Sequence, residues 1–382
     1  MYDLGHYGSM LADRVRMEPY ERALRQTVRP GMVVLEIGTG PGILAILACR
    51  LGAKRVYAVE PNPVIHLARQ IAAANHCADK IEFIEDVSTR VTSPIQADLI
   101  VSDLRGMLPL LQDHIPSIAD ARHRFLAPGG TLIGRKDRLW VAVVEAPEPY
   151  AGLVNPWEHN LLDEDLSVAR RMIVNEVHRV RLTPDQLMTS PLLWATLDYT
   201  RIEDPDVQGK LSWTANRDGT GHGIVIWFDA DLVEGVGFST CPGSPEKVYG
   251  LMFLPWQEPV PLVAGQMVTV DLHAKLIEKD YFWRWDTRIE SASRPGEIAA
   301  KFDQSVLKGA VLSPSQLRKS ASNYVPQLSE ESLIRRRVLE LIDGKASLEV
   351  IARRLTADFP KRFTRWEHAL LMAAAVSRDN SG

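Results

Sequence analysis

Three glycines at alternate positions, Gly38-Thr39-Gly40-Pro41-Gly42, stand between an apolar run and a helical segment with no breaker in it. Met32-Val33-Val34-Leu35-Glu36-Ile37 reads as a buried strand, and Gly42 to Leu51 as the helix that follows. Glycines in that turn let the chain bend sharply and let a ligand approach the main chain closely. A second strand, Arg55 to Glu60, ends in a carboxylate. Its separation from Gly42 is close to the ~20 residues expected between a glycine loop and a ribose-binding acid. Asp86, just past a third strand at Ile81 to Ile84, sits where an acid can meet an adenine amino group. The G-x-G-x-G spacing is not the dinucleotide fingerprint. No Lys-Ser or Lys-Thr follows it, which excludes a P-loop. The candidate binding residues around this loop are Glu36, Gly38, Gly40, Gly42, Glu60 and Asp86.

The elements that must position these residues alternate. Strands are expected at 32–37, 55–60, 81–84, 97–102 and 131–133, with helices at about 42–51 and 62–74 and a tight turn at Pro128-Gly129-Gly130. Alternation of this kind implies right-handed crossovers and a mostly parallel, doubly wound α/β sheet. After Lys136 the texture changes to short runs rich in Val, Trp, Phe and Leu: 139–144, 192–199, 210–214, 223–228, 248–254 and 267–274. These predict an all-β barrel or sandwich. Within it, 147–191 lacks strand alternation and reads as an inserted, partly helical arm. Residues 291–330, polar and marked by Pro295, Gly296 and Pro314, read as a linker. Helices at 331–342, after Ser347 and at 366–375 then form a small C-terminal domain. The expected organisation is a cofactor domain over 1–136, a β-barrel over 137–290, the linker, and a helical domain over 331–382.

Composition narrows the function classes. Forty-four Lys and Arg against 48 Asp and Glu give a net charge of −4, so nucleic acid is not an expected partner. No apolar run approaches the ~18 residues of a membrane span, and the three cysteines match neither a disulfide framework nor a zinc pattern. No metal site is expected, and the chain reads as a cytoplasmic protein.

The glycine loop with Glu60 resembles motif I of the class I S-adenosylmethionine-dependent methyltransferases. Met10-Leu11-Ala12-Asp13-Arg14-Val15-Arg16, with Tyr20 and Ala23-Leu24, is similar to the N-terminal helix of the protein arginine methyltransferases. That resemblance continues through Val34 to Leu44, Gly52 to Glu60, Gly223 to Asp229, Phe238 to Pro242 and Gly265-Gln266. It covers roughly residues 2–290 and implies a Rossmann-like domain, a β-barrel and a homodimer made through the arm, with Trp157, Leu161 and Leu162 as its apolar anchors. It also implies S-adenosylmethionine as cofactor, with Met10 beneath it and Arg16 on its methionine carboxylate.

The acceptor loop departs from that family. Where the family holds a guanidinium between two glutamates, this chain has Asp103 and Gln112, in Ser102-Asp103-Leu104-Arg105-Gly106-Met107-Leu108-Pro109-Leu110-Leu111-Gln112. The family's Thr-His-Trp loop is here Lys247-Val248-Tyr249. A guanidinium offers donors only and suits two carboxylates, so ordinary arginine methylation is not expected. Asp103 is expected to act as a general base or orient a donor, and Arg105 to hold a substrate carboxylate. The expected acceptor is a peptide, a protein or an amino-acid-like molecule; the alternative is a catalytically silent cofactor- or peptide-binding protein. Leu339 to Ala352 faintly resembles the helical part of PqqD-like peptide-recognition domains and also fits a winged helix.

Overall fold

The computed structural model describes residues 3–245, 248–294 and 296–380. Lys247 and Pro295, both singled out above, lie outside the described residues. Two compact units divide the chain at Ala310 and Val311.

The first unit opens with α1 (Leu4–Ala12) and α2 (Arg14–Thr27), joined at Asp13. A Rossmann-like layer follows: β1 (Val33–Ile37), α3 (Ile43–Arg50), β2 (Arg55–Val59), α4 (Val64–Ala74), β3 (Ile81–Ile84), β4 (Ala97–Ser102), α5 (His114–Phe125) and β5 (Leu126–Ile133). The five strands are parallel in the order β3-β2-β1-β4-β5. Helices cover the sheet, so its central strands are apolar on both faces, as in Val33-Val34-Leu35-Glu36-Ile37. The strand order reverses between β1 and β4. The loops leaving their C-terminal ends therefore diverge and open a crevice, the usual ligand position in such sheets. The turn expected at Pro128-Gly129-Gly130 falls inside β5, with Gly129 at φ 78°, and interrupts its register: Ala97 pairs with Leu126, and Leu99 with Thr131.

The barrel layer comprises β6 (Lys136–Val144), α6 (Pro147–Glu158), α7 (Ser167–Ile173), β7 (His178–Val180), β8 (Leu192–Asp198), β9 (Val207–Thr214), β10 (Gly219–Val233), β11 (Val236–Ser239), β12 (Leu251–Leu262), β13 (Met267–Ile277), β14 (Asp280–Glu290), β15 (Ile298–Ser305) and α8 (Val306–Gly309). Its sheets run β7-β12-β10-β6-β8, with β11 on β10, and β15-β14-β13-β9. Trp256, Trp285 and Phe228 fill the space between them and are fully buried. Two expected boundaries shift. The linker expected from 291 begins later, because β15 pairs with β14, and Gln304 Nε2 donates to the carbonyls of Val174 and Pro255. The arm expected over 147–191 is confined to α6 and α7, since β7 joins the barrel sheet beside β12.

The second unit contains α9 (Pro314–Lys319), which buries no residue, and α10 (Glu330–Leu341), α11 (Leu348–Asp358) and α12 (Trp366–Asn380), which pack around Ile334, Val338, Ile351, Leu355, Ala369 and Ala373. Ser329 and Ser347 cap α10 and α11. Among the described residues this unit has no strand, so the wing of a winged helix is not part of it.

Candidate active site

One cavity of about 1500 Å³ lies at the C-terminal ends of β1 and β4, between the Rossmann-like layer, α1–α2 and the barrel. Its two ends differ in construction.

The first end is made largely of main chain. Gly38 and Gly40 have φ of 75° and 51°, conformations that other residues adopt only with strain. A Cβ on Gly38 would stand 2.4 Å from Leu104 Cδ2, and one on Gly40 3.1 Å from the Tyr7 ring. Gly42 begins α3 and does not reach the cavity wall. Glu60, at the end of β2, accepts from the Gly40 N–H at 3.0 Å and from Asn62 at 3.0 Å (main chain) and 2.6 Å (side chain). Glu36 is buried, and burial pushes its carboxyl up to about 8 despite the Thr39 hydroxyl that donates to it at 2.6 Å. Asp86 also lines this end, accepting from the Val87 N–H and from Arg90, both at 2.7 Å.

The second end is made of side chains drawn from distant parts of the chain. Asp103 Oδ2, just past β4, accepts from Arg16 Nε on α2 at 2.6 Å and from the Tyr249 hydroxyl before β12 at 2.6 Å. Arg105 is closed onto Asp137 of β6 by two parallel bonds, at 2.7 and 2.9 Å. Its remaining arm reaches the Tyr20 hydroxyl at 2.8 Å and Asp103 Oδ1 at 3.4 Å. The Tyr199 hydroxyl donates to Asp137 Oδ2 at 2.6 Å. It must therefore accept from His114 Nε2–H, 3.1 Å away, which leaves Nδ1 as a bare lone pair with no partner among the described residues. Asp13 caps α2 by accepting from the Arg16 N–H, and also accepts from the Val248 N–H at 2.9 Å. That carboxylate ties the N-terminal helices to the barrel loop that carries Tyr249.

Burial acts on every charge here. It alone raises Asp103, but Arg16, Arg105 and the Tyr249 hydroxyl together hold that carboxyl below its usual range. Burial also lowers His114, helped by Arg105, to about 3, so its imidazole is neutral at physiological pH. Asp137 is pushed up by burial, against the opposing pull of Arg105.

All the residues singled out from the sequence line this cavity except Gly42: Met10, Arg16, Glu36, Gly38, Gly40, Glu60, Asp86, Asp103, Arg105 and Gln112. Two expected roles need correction. Arg105 is no exposed hand for a substrate carboxylate, because its side chain is 1% exposed and its fork is committed to Asp137. For Asp103 the two arginines favour the charged form, which weakens the general-base role, while the Tyr249 hydroxyl bonded to it fits the other expected role, orienting a donor. Gln112 is exposed, at φ 42°, and sits on the rim. Sequence reasoning missed Asp137, Tyr199 and His114 as parts of one network. Asp137 lies between Lys136 and Arg138 at the start of β6, so nothing in the local pattern set it apart from a solvated charge.

Residues 21–135 match the family model for ribosomal protein L11 methyltransferase (PrmA), and residues 135–280 match the arginine methyltransferase oligomerization subdomain. The protein arginine N-methyltransferase PRMT10 of Arabidopsis thaliana is 30% identical over 256 residues, covering 60% of this chain and 67% of that protein. Protein arginine N-methyltransferase 1 of Dictyostelium discoideum is 26% identical over 286 residues, covering 72% of this chain and 84% of its own length. A chain of the Trypanosoma brucei PRMT1 enzyme-prozyme heterotetrameric complex with AdoHcy has the same fold, with a TM-score of 0.71 at 21% identity over 79% of this chain and 98% of that one. This chain belongs to the protein arginine methyltransferase family, a family of S-adenosylmethionine-dependent methyltransferases.

Proposed function

We propose that this protein transfers a methyl group from S-adenosylmethionine to a peptide or protein acceptor that is not clamped between two carboxylates. The observation that carries this is the closure of Asp103 onto Arg16 and Tyr249, with uncharged Gln112 on the rim. A guanidinium entering here would meet a carboxylate already neutralised and an amide that competes as a donor.

The cavity suits the cofactor. Its glycine loop, at positive φ and closed against Leu104 and Tyr7, presents main chain to the cavity, and Glu60 stands beside it with Asn62 to orient it. In the proposed assignment Glu60 binds the ribose hydroxyls, Asp86 the adenine amino group, and Met10 packs beneath. Arg16 keeps its Nε on Asp103 and turns its outer nitrogens to the methionine carboxylate. When bound, the cofactor supplies a methyl group activated on a sulfonium. The protein's own contribution is alignment: Tyr249 and Arg105 keep Asp103 fixed, and the Gly38–Gly40 main chain sets the depth of the pocket. Calorimetric titration with S-adenosylmethionine, followed by radiolabel transfer to peptide and protein pools, tests this reading. Cofactor binding without transfer to any acceptor would favour the silent alternative.

We further propose a homodimer through the α6–α7 arm. Leu161 and Leu162 stand at its tip, 105% and 79% exposed, with Trp157 close by. Apolar side chains so exposed on a protruding arm fit a partner surface, and the oligomerization-subdomain match spans this segment. Leu161→Asp with Leu162→Asp is expected to give a monomer by light scattering; a dimer that persists would remove the arm from the interface.

A further inference from the structure

The reading above leaves the acceptor atom open, and three features of the second end of the cavity bear on it together. The first is charge on the rim. Arg179 and Arg181 at the end of β7 and Lys279 of the β13–β14 hairpin all line the cavity, whose acids outside the cofactor end and the Asp103 network are Asp13 and Asp113. Arg179 is tied to the acceptor end in particular. Its stem lies against Gly250, where a Cβ would be 2.9 Å from Arg179 Cγ. The neighbouring Tyr249 is the residue that donates to Asp103. Among the described residues neither Arg179 nor Lys279 has an ion pair.

The second feature is that the two described groups at the heart of the acceptor end, Asp103 and His114, are both poor bases. An amine or guanidinium acceptor is protonated in water and must lose a proton to become a nucleophile. Asp103 Oδ2 is already filled by two donors, and both arginines favour its charged form. His114 is neutral but far too weakly basic to take a proton. Glu36, at the other end, is pushed by burial toward its protonated form. The third is Gln112, whose amide offers donors to an anion where a carboxylate would repel one.

We propose that the methyl acceptor is a carboxylate within an acidic peptide segment, and that the product is a methyl ester. This rests on the peptide-acceptor reading above and names its substrate class. A carboxylate oxygen uses a lone pair to form the O–CH3 bond. The S–CH3 bond breaks in line with it, and its electron pair stays on sulfur. The negative charge of the acceptor cancels the positive charge of the sulfonium, and no proton has to be removed. Arg179, Arg181 and Lys279 draw in the acidic segment, and the Gln112 amide donates to its reacting group at the rim.

The test has two readouts. The full chain, loaded with S-adenosylhomocysteine, is titrated into two labelled peptides of equal length, one rich in Asp and Glu and one rich in Arg and Gly. The acidic peptide is expected to bind about tenfold more tightly at low salt. Arg179→Glu with Lys279→Glu should abolish that preference, and Arg179→Lys should retain it. In the second readout, methyl-labelled S-adenosylmethionine is incubated with the same peptides and the products are treated with mild base. Release of labelled methanol supports an ester. A base-stable label, recovered as methylated arginine, lysine or histidine, overturns the carboxylate assignment while leaving the peptide-acceptor reading intact. Preference for the Arg/Gly peptide overturns the rim assignment. No label in either peptide or in a protein pool overturns both readings together.

Discussion

The two ends of the cavity solve the same problem with different materials. At the cofactor end, positive-φ glycines and main-chain N–H groups do most of the work, and Glu60 is the main side chain anchored there. At the acceptor end the work falls to Arg16, Asp103, Arg105, Asp137, Tyr199, His114 and Tyr249, contributed by six separate segments. A site built from main chain is set by a few adjacent residues and changes little without breaking. One built from side chains can be rewired one substitution at a time. Here the first end keeps the pattern of its family, and the second has lost the paired glutamates.

That contrast predicts where stability resides. Arg105 and Asp137 are both nearly inaccessible, and each has given up its hydration for the other. Such a pair is weak evidence of net stabilisation, but removing one partner leaves an uncompensated buried charge, costing about 3–5 kcal/mol. Asp137→Ala is expected to lose that much in urea unfolding. Replacing both residues with apolar ones of similar volume should recover most of it. If Asp137→Ala is as stable as the parent, the acceptor end is not the rigid wall argued here.

The cofactor end should respond in affinity rather than stability. Glu60→Ala is expected to weaken S-adenosylmethionine binding by about 1.5–3 kcal/mol for each charge-assisted hydrogen bond lost. Unfolding should change much less, because Asn62 and Gly40 lose a partner that water near the pocket mouth can replace. An unchanged affinity in calorimetry would remove Glu60 from the ribose role.

The same division explains what the sequence made legible. The five strands of the Rossmann-like layer were readable because each buried strand is a short apolar run bounded by turns. The glycine loop was readable because its requirement for positive φ is local. β14 and β15 were not, for lack of clear periodicity: Asp280 to Glu290 mixes aromatic and charged residues, and Ile298 to Ser305 is mostly polar. The positions of Asp103, Arg105 and Gln112 were readable by register with the family loop. Their partners were not, because Asp137 and Tyr199 meet Arg105 only once the barrel has closed on the Rossmann-like layer. Arg105 read as a free cation for that reason alone.

The comparison sharpens if the acceptor end is turned back toward its family. Asp103→Glu with Gln112→Glu places two carboxylates around the guanidinium position. It is expected to create measurable binding of an arginine-containing peptide, worth on the order of 1.5–3 kcal/mol if a single charged hydrogen bond forms. The extra negative charge should also depress transfer to an acidic acceptor. Robust dimethylarginine formation by the unmodified protein would mean that Asp103 and Gln112 already suffice.

The smallest expected effect lies in pH. His114 titrates at about 3 in the fold against an ordinary value of 6.5, because burial, and then Arg105, disfavours its charged form. Between those values the unfolded chain binds a proton that the folded chain refuses, so stability rises with pH across that window. Read downward, stability is complete above about 6.5 and is lost as pH falls, by up to about 1.4 kcal/mol per pH unit for this one group. Asp137 works in the opposite sense: its raised carboxyl binds protons more readily in the fold than out of it. The whole-protein profile therefore mixes both contributions, and a difference between variants isolates one. His114→Gln keeps a donor to Tyr199 and removes the titrating ring. Urea unfolding of the parent and of this variant at pH 6.5 and 5.5 should show the parent losing about 1 kcal/mol more across that step. Parallel losses would mean that the imidazole takes up its proton within the fold, and the Nε2–H donation to Tyr199 with a bare Nδ1 would then have to be abandoned.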